Sequence, residues 1–479
     1  MPLSSAGSAE FLQTLRHQVG QKHVISDTLT MADWMVEPRN LFTGEALAVV
    51  RPATTSEVVA VVKSCASAGV SIVPQGGNSG LCGGGTPIPE NHSILLSLSR
   101  LNRIRQVNPA NNSLIVEAGC IIANIQQAAE QADRLFPLSF AADGTAQIGG
   151  AIGTNAGGTN VLRYGNTRDL VRGLEVVLPN GDLLDDLSGL RKDNTGYDLK
   201  NLFIGAEGTL GVVTAANLKL FAPPAQRHTA WVAINNLANG IELLADLQQR
   251  SDGAVSGCEL LSATSLEFVL RHRPDCRTPL GTIHPWYLLL ELTASNHYES
   301  TGQLLENCLA DFLQKGKVED ALIAQSLTQG RDFWRIREAI PEAQKLEGGS
   351  IKHDISLPSE NLAAFVTDTL PLLHQQLSAI RPCIFGHLGD GNLHFNLSQP
   401  TAMDEAEFIG QWERFNRIVH DQVDKFGGSI SAEHGIGQLK RQELARYKSP
   451  VALNLMRQIK RSIDPHNLMN PGKVLPDDE

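Results

Sequence analysis

The chain has 479 residues, enough for two or three domains with sizeable cores. Asp plus Glu total 51 against 40 Lys plus Arg, a net charge of -11, which argues against a nucleic-acid-binding surface or a basic arm for anionic lipid and points to a small-molecule substrate. Seven cysteines (Cys65, Cys82, Cys120, Cys258, Cys276, Cys308, Cys383) are scattered without a Cys-x-x-Cys pair, so neither a disulfide framework nor a zinc ribbon is expected, and a reducing cytoplasm fits.

Residues 1–40 carry Phe11, Leu12, Leu15 and Val19 at spacings near one helical turn and predict a helical packing arm. No secretory leader and no apolar run of membrane-spanning length is expected. From about residue 41 the pattern alternates. A strand near Ala46–Val50 leads to Thr54-Thr55-Ser56-Glu57, a capping box opening a helix with Val58, Val59, Val61, Val62 and Cys65, which Gly69 stops. The strand at Ser71–Val73 then runs into Pro74-Gln75-Gly76-Gly77-Asn78-Ser79-Gly80-Leu81-Cys82.

A strand feeding a glycine-rich loop can make a backbone nest for an anion, or can be a flexible loop. There is no G-x-G-x-x-G opening a helix and no Walker A lysine, so neither a Rossmann fingerprint nor a P-loop is present. A second segment, Asp143-Gly144-Thr145-Ala146-Gln147-Ile148-Gly149-Gly150-Ala151-Ile152-Gly153-Thr154-Asn155-Ala156-Gly157-Gly158, suits a backbone lying against a flat or extended ligand. A hairpin with an Asn180-Gly181 turn follows, and then a third segment, Ile204-Gly205-Ala206-Glu207-Gly208-Thr209-Leu210-Gly211-Val212, ahead of Pro223-Pro224, where the first domain should end. One large extended cofactor accounts for all three segments together.

Residues 224–428 read as an α+β substrate domain, with Trp286–Leu292 as a central strand and a helix through Arg331–Glu338. Near its end, Gly386-His387-Leu388-Gly389-Asp390-Gly391-Asn392-Leu393-His394 reads as a shaped turn that brings imidazoles together. Some forty residues later Ser431-Ala432-Glu433-His434-Gly435-Ile436-Gly437 offers a carboxylate and a third imidazole. Two His and one Glu suit a three-ligand metal site with an open position; taken singly, each histidine could as well be an ordinary turn or core residue. Residues 429–479 form a C-terminal segment.

Taken in order, these motifs resemble the FAD-linked D-2-hydroxyacid dehydrogenases, which include D-lactate dehydrogenases, glycolate oxidase flavin subunits and, most similar, D-2-hydroxyglutarate dehydrogenases. The resemblance runs over nearly the whole chain from about residue 40. It implies an α+β protein with a vanillyl-alcohol-oxidase (PCMH-type) FAD-binding domain over residues 41–223, a cap domain, and a C-terminal segment returning to the flavin domain. The loop from Pro74 to Leu81 would cradle the pyrophosphate of a non-covalent FAD. Gly144, Thr145, Gly149, Gly150, Gly153, Thr154, Asn155, Gly157 and Gly158, then Glu207, Gly208, Gly211 and Val212, and Asn470 in the tail, would complete that site.

The resemblance further implies a divalent metal, zinc by its donor set, on His387, His394 and Glu433. Arg337 and Lys352 would hold the substrate carboxylate, Asn396 would hydrogen-bond the substrate, and His434 would act as general base. The expected reaction oxidises a D-2-hydroxy acid (D-2-hydroxyglutarate, D-lactate or similar) to the 2-oxo acid, passing electrons through FAD to an electron-transfer flavoprotein or quinone, in a homodimer. A flavin subunit of a larger glycolate or D-lactate oxidase complex is the alternative. One departure stands out: where the D-2-hydroxyglutarate dehydrogenases carry a substrate-holding threonine, this chain has Pro341, which offers neither hydroxyl nor N–H.

Overall fold

The computed structural model describes residues 5–296 and 300–477. The first four residues of the expected N-terminal arm and the last two of the chain lie outside that range. The chain divides into two compact units: Met1–Gly158, Gly165–Ala222 and Glu433–Glu479 form the first, and Thr159–Tyr164 with Pro223–Ala432 form the second.

The first unit holds two sheets. Strands β1 (Val24–Ile25), β2 (Val49–Val50), β3 (Ser71–Gln75) and β4 (Ser93–Ser97) pair in the order β1-β2-β4-β3, with β2, β4 and β3 parallel. Strands β5 (Ile104–Asn108), β6 (Ser113–Glu117), β7 (Val171–Val177), β8 (Leu183–Asp186) and β9 (Val212–Lys219) form an antiparallel sheet in the order β5-β6-β9-β7-β8. The helix Thr55–Ala68 makes the crossover between β2 and β3. Thr54 caps it by accepting from Glu57 N at 3.1 Å, while the Glu57 carboxylate reaches Ala53 N, one residue earlier than a capping box requires; Gly69, at φ 64°, ends it.

Val58, Val61, Val62 and Cys65 of that helix bury against Val50, Ile72, Ile94 and Leu96, and Phe11, Leu15 and Val19 of the helix Ser5–Val19 join the same core. Each such fully buried aliphatic side chain contributes about 1.5–3 kcal/mol, so the N-terminal helix is fastened by its apolar stripe. The C-terminal segment continues the first sheet: Ile72 N donates to Leu468 O and Asn470 N donates to Ile72 O, both at 2.8 Å. That pairing fixes residues 468–470 beside the strand that feeds the first glycine loop.

In the second unit, β10 (Gln226–Ile234), β11 (Val255–Ser262), β12 (Trp286–Ala294), β13 (Asp320–Ile323), β14 (Ser350–Ile351), β15 (Asp354–Ser356), β16 (Arg381–His387) and β17 (Asn392–Ser398) build one sheet. Its order is β13-β10-β12-β11-β16-β17-β14, with β15 also on β17. The helix Leu327–Lys345 lays Phe333, Ile336, Ala339, Ile340 and Ala343 onto Trp231, Leu261, Cys383 and Phe385 of this sheet.

One segment differs from its sequence reading, and a second gains a definite conformation. The stretch Gly386–His394 is a β-hairpin: His387 closes β16 and His394 lies inside β17, so only residues 388–391 are turn. Its glycines serve close approach, since a Cβ on Gly391 would collide with Leu357 O and one on Gly386 would reach within 2.5 Å of Asn392 O. The segment 148–154, read from its glycines as a backbone lying against a flat or extended ligand, is helical. Gly149 allows this because a side chain there would press on Ala118, against which the helix sits.

Candidate active site

In the first unit the three glycine segments meet. Gln75 is buried at the neck of the first loop, its Nε2 donating to Trp34 O at 2.9 Å and Gly85 O at 3.0 Å, and Asn78, at φ 51°, donates from Nδ2 to Val36 O at 2.8 Å. Both side chains therefore shape the loop, and its backbone is what remains for a ligand. The glycines divide by role. A Cβ on Gly77 would strike Thr145 O and one on Gly208 would strike Pro74, so these two let loops touch, whereas Gly80, Gly144 and Gly150 have nothing within 4 Å of that position. Open glycine faces of this kind form the cradle that an extended cofactor requires, so the residues fit FAD. Pro74 lies in β3 ahead of the first loop, which runs through Gly76, Ser79 and Leu81; Thr154 ends the helix 148–154, Asn155 follows it, and Gly158 lies three residues further on. Asn155 caps that helix in the left-handed region and accepts from Arg168 N at 2.9 Å.

Glu207 ties the third segment to the C-terminal one. Its backbone N donates to Gly153 O at 2.8 Å, Oε1 accepts from Ile436 N at 2.7 Å and Oε2 from Gly437 N at 2.8 Å. Burial pushes its carboxyl up to about 7, against the pull of those two amides and of Lys440 and Lys473. Gly211 and Val212 lead from there into β9, with Gly211 close to Val176. Asn470 is buried and donates from Nδ2 to Gly84 O at 2.9 Å and to Glu207 O at 2.7 Å. Lys473 is also buried, its Nζ has no hydrogen-bond partner among the described residues, and burial lowers its pKa to about 7. The carboxylate of Glu433 lies over Gly157, where a Cβ would come within 2.7 Å of Oε1. His434 is the next residue, half-buried in an irregular segment.

In the second unit the register of the large sheet sets the site. Glu259 pairs with His387 across β11 and β16, His387 with Asn392 and Cys383 with Asn396 across β16 and β17, and His394 with Asp354 across β17 and β15. Directly paired residues share a face, so these polar side chains come together. The rings of His387 and His394 stand 5.8 Å apart, edge to face. Two imidazoles at this separation on rigid strands suit a divalent ion of zinc type. Arg337 arrives from the helix Leu327–Lys345 and lies 4.9 Å over the Phe385 ring.

Glu259 joins the two groups, and the sequence reading missed it. Its Oε2 accepts from Arg337 Nε at 2.7 Å and its Oε1 lies 2.6 Å from His387 Nδ1. Burial alone would push this carboxyl up, but the His387 and Arg337 charges more than offset it and hold it below the ordinary glutamate range. A lone glutamate inside the apolar run Cys258-Glu259-Leu260-Leu261 was the available signal.

Asn396 is buried: its Nδ2 donates to Gln344 Oε1 at 2.9 Å and its Oδ1 accepts from His353 N at 3.2 Å, so a second buried polar residue of the same helix was also missed. Lys352 is half-buried between β14 and β15, and its charge is felt at Cys383. Asp390 is a turn residue, accepting from Asn392 N at 3.1 Å.

A glycine cradle in one unit and paired imidazoles beside an anchored guanidinium in the other define an FAD-dependent oxidoreductase of the vanillyl-alcohol-oxidase fold. Residues 46–186 match the FAD binding domain family and residues 223–474 match the family of FAD linked oxidases, C-terminal domain. The D-2-hydroxyglutarate dehydrogenase of Arabidopsis thaliana mitochondria is 36% identical over 479 residues, 99% of this chain and 83% of that protein. That of Xanthomonas citri pv. viticola is 37% identical over 90% of each chain. Among solved structures, p-cresol methylhydroxylase with substrate bound superposes with a TM-score of 0.76 at 18% identity over 98% of this chain and 97% of that one. The 4-ethylphenol oxidase of Gulosibacter chungangensis gives 0.76 at 16% identity over 99% and 98%. The chain belongs to the FAD-linked D-2-hydroxyacid dehydrogenase family, as an enzyme acting on CH–OH groups. Among the described residues no helix is long and apolar enough to cross a membrane.

Proposed function

We propose that this enzyme oxidises a D-2-hydroxy acid, with D-2-hydroxyglutarate the first candidate and D-lactate the second, to the 2-oxo acid. The observation that carries this reading is the sheet face on which His387 and His394 stand 5.8 Å apart while Arg337 is held beside His387 through Glu259. A carboxylate-binding cation next to a pair of metal-type ligands suits a substrate with a carboxylate on the carbon that bears its hydroxyl. Glu433 is the third ligand in this reading, completing a His2Glu set with an open position.

When bound, FAD supplies the two-electron acceptor for hydride from the substrate α-carbon, and the divalent ion supplies the Lewis acidity that favours the ionised hydroxyl. The chain's own residues do the rest. Arg337 offers a planar two-pronged donor to the substrate carboxylate and Lys352 adds a point charge, so the acid is bound in one orientation. Asn396 donates a hydrogen bond to the substrate. His434, whose unperturbed pKa lies near neutrality, takes the hydroxyl proton, leaving the electron pair that forms the carbonyl as hydride departs. Reoxidation by an electron-transfer flavoprotein or quinone, a homodimeric state, a cytoplasmic location and non-covalent FAD belong to the same reading. The seven cysteines, all buried and free of disulfides, support a reducing compartment.

Anaerobic mixing of the FAD-loaded enzyme with matched D- and L-2-hydroxy acids tests the proposal. Bleaching of the flavin band by the D enantiomer alone, slowed about 10²–10⁴-fold in His434→Ala, is the expected result. Bleaching by both enantiomers, or an undiminished rate in that variant, would refute it.

A further inference from the structure

We propose that Glu259 is a positioning residue that makes the metal ligand and the carboxylate anchor a single preorganised unit. This deepens the function proposed above and rests on it for what His387 and Arg337 hold.

Packing gives no reason for a carboxylate at this position. Glu259 sits in a strand whose residues are all buried, its side chain is 1% exposed, and a buried charge costs several kcal/mol unless it is paired. Both of its oxygens are used, and each restricts one functional side chain. On one side, a carboxylate can only accept, so its contact with His387 places the ring proton on Nδ1. The lone pair is then on Nε2, which is the nitrogen that can ligate. A carboxylate behind a ligating imidazole also raises its basicity and fixes the ring angle. On the other side, the contact goes to Arg337 Nε and not to the terminal nitrogens, so the two-pronged end of the guanidinium stays available for a carboxylate. Phe385, 4.9 Å beneath the guanidinium, fixes its plane. Moving either side chain moves the carboxylate that holds the other.

A glutamine at 259 has the same shape but a different hydrogen-bond capacity. Its amide can accept from Arg337 Nε only by turning its NH2 toward His387, which drives the ring proton to Nε2 and removes the ligating lone pair. If it turns the other way, it loses the arginine. Glu259→Gln should therefore weaken metal binding although nothing in the proposed ligand set has changed.

The test is a competition titration of Zn2+ against a chromophoric chelator, on FAD-loaded wild type, Glu259→Gln and Glu259→Asp. Leu260→Ala serves as a control that lowers stability from the same strand. The expected result is a dissociation constant raised about 10–100-fold in the Gln variant, and raised in the Asp variant, whose shorter arm cannot reach both partners, with Leu260→Ala near wild type. A Gln variant that binds Zn2+ as tightly as wild type would overturn the proposal, as would a Leu260→Ala effect of equal size. Should the Gln variant fail to load FAD, the Asp variant decides on the same criterion. If wild type takes up no Zn2+, the proposed metal site falls with it; if wild type binds and the Gln variant matches it, only the role of Glu259 falls.

Discussion

Replacing Arg337 with methionine keeps the length of the side chain and removes its charge. In the folded protein Glu259 then remains buried beside His387, whose Nδ1 lies 2.6 Å from Oε1, without the Arg337 charge. Stripping one member from a buried pair costs about 3–5 kcal/mol, because the remaining charge is uncompensated. The pH dependence separates this cause from lost packing. In wild type the Glu259 carboxyl is held below its ordinary 4.5, so its contribution is present above pH 4.5 and is lost only as pH falls below that value. In Arg337→Met the Arg337 charge no longer opposes burial, although His387 still does, so the carboxyl rises, its stabilising contribution above pH 4.5 shrinks, and the gap to wild type closes as pH falls and the group is protonated in both. The deficit against wild type should be near its full size at pH 8 and smaller at pH 4. Urea titrations at both pH values can follow tryptophan fluorescence, since Trp231, Trp286, Trp334 and Trp412 all lie in the second unit and only Trp34 in the first. A deficit below about 1 kcal/mol, or one that grows toward acid, would refute the reasoning.

Two further outcomes follow from particular residues. Lys473 is buried with no hydrogen-bond partner among the described residues and its pKa is lowered to about 7, so its charge destabilises the fold below pH 7 and progressively less up to about 10.5. Lys473→Met should raise the denaturation midpoint of the cofactor-free protein, by more at pH 6 than at pH 9; an equal gain at both would contradict the assignment. Pro341 lies inside the helix Leu327–Lys345, four residues after Arg337, and cannot donate the helical hydrogen bond to the Arg337 carbonyl. Pro341→Thr restores that N–H and adds a hydroxyl, and steady-state kinetics should show KM for D-2-hydroxyglutarate falling about 5–10-fold relative to D-lactate, the value of one hydrogen bond. An unchanged ratio would remove Pro341 from the specificity argument.

Much of this architecture was legible before any coordinates. The helix after Thr54, the strand at Trp286–Leu292 and the Asn180-Gly181 hairpin follow from local rules of capping, alternation and turn chemistry. The glycine segments were legible as ligand-shaping, but their division of labour was not. Gly77 and Gly208 are small because another loop passes close by, and such contacts join residues far apart in the chain. Gly386–His394 was read as a turn from its glycines, although β pairing with β11 and β15 draws both histidines into strands. Glu259 carried one local signal, a lone glutamate in an apolar run, but its role was not legible from it, because its partners are 78 and 128 residues away and the carboxylate is stable only once both have arrived.

The central proposal is that His387, His394 and Glu433 would hold a divalent metal, whose Lewis acidity would favour loss of the substrate hydroxyl proton to His434. The most direct measurement is the anaerobic rate of flavin bleaching by a D-2-hydroxy acid before chelator treatment, after it, and after stoichiometric Zn2+ is restored, with FAD content held constant. The account predicts a rate that collapses on chelation and returns with the metal. Bleaching that proceeds at the same rate in the metal-stripped, FAD-loaded enzyme would contradict it.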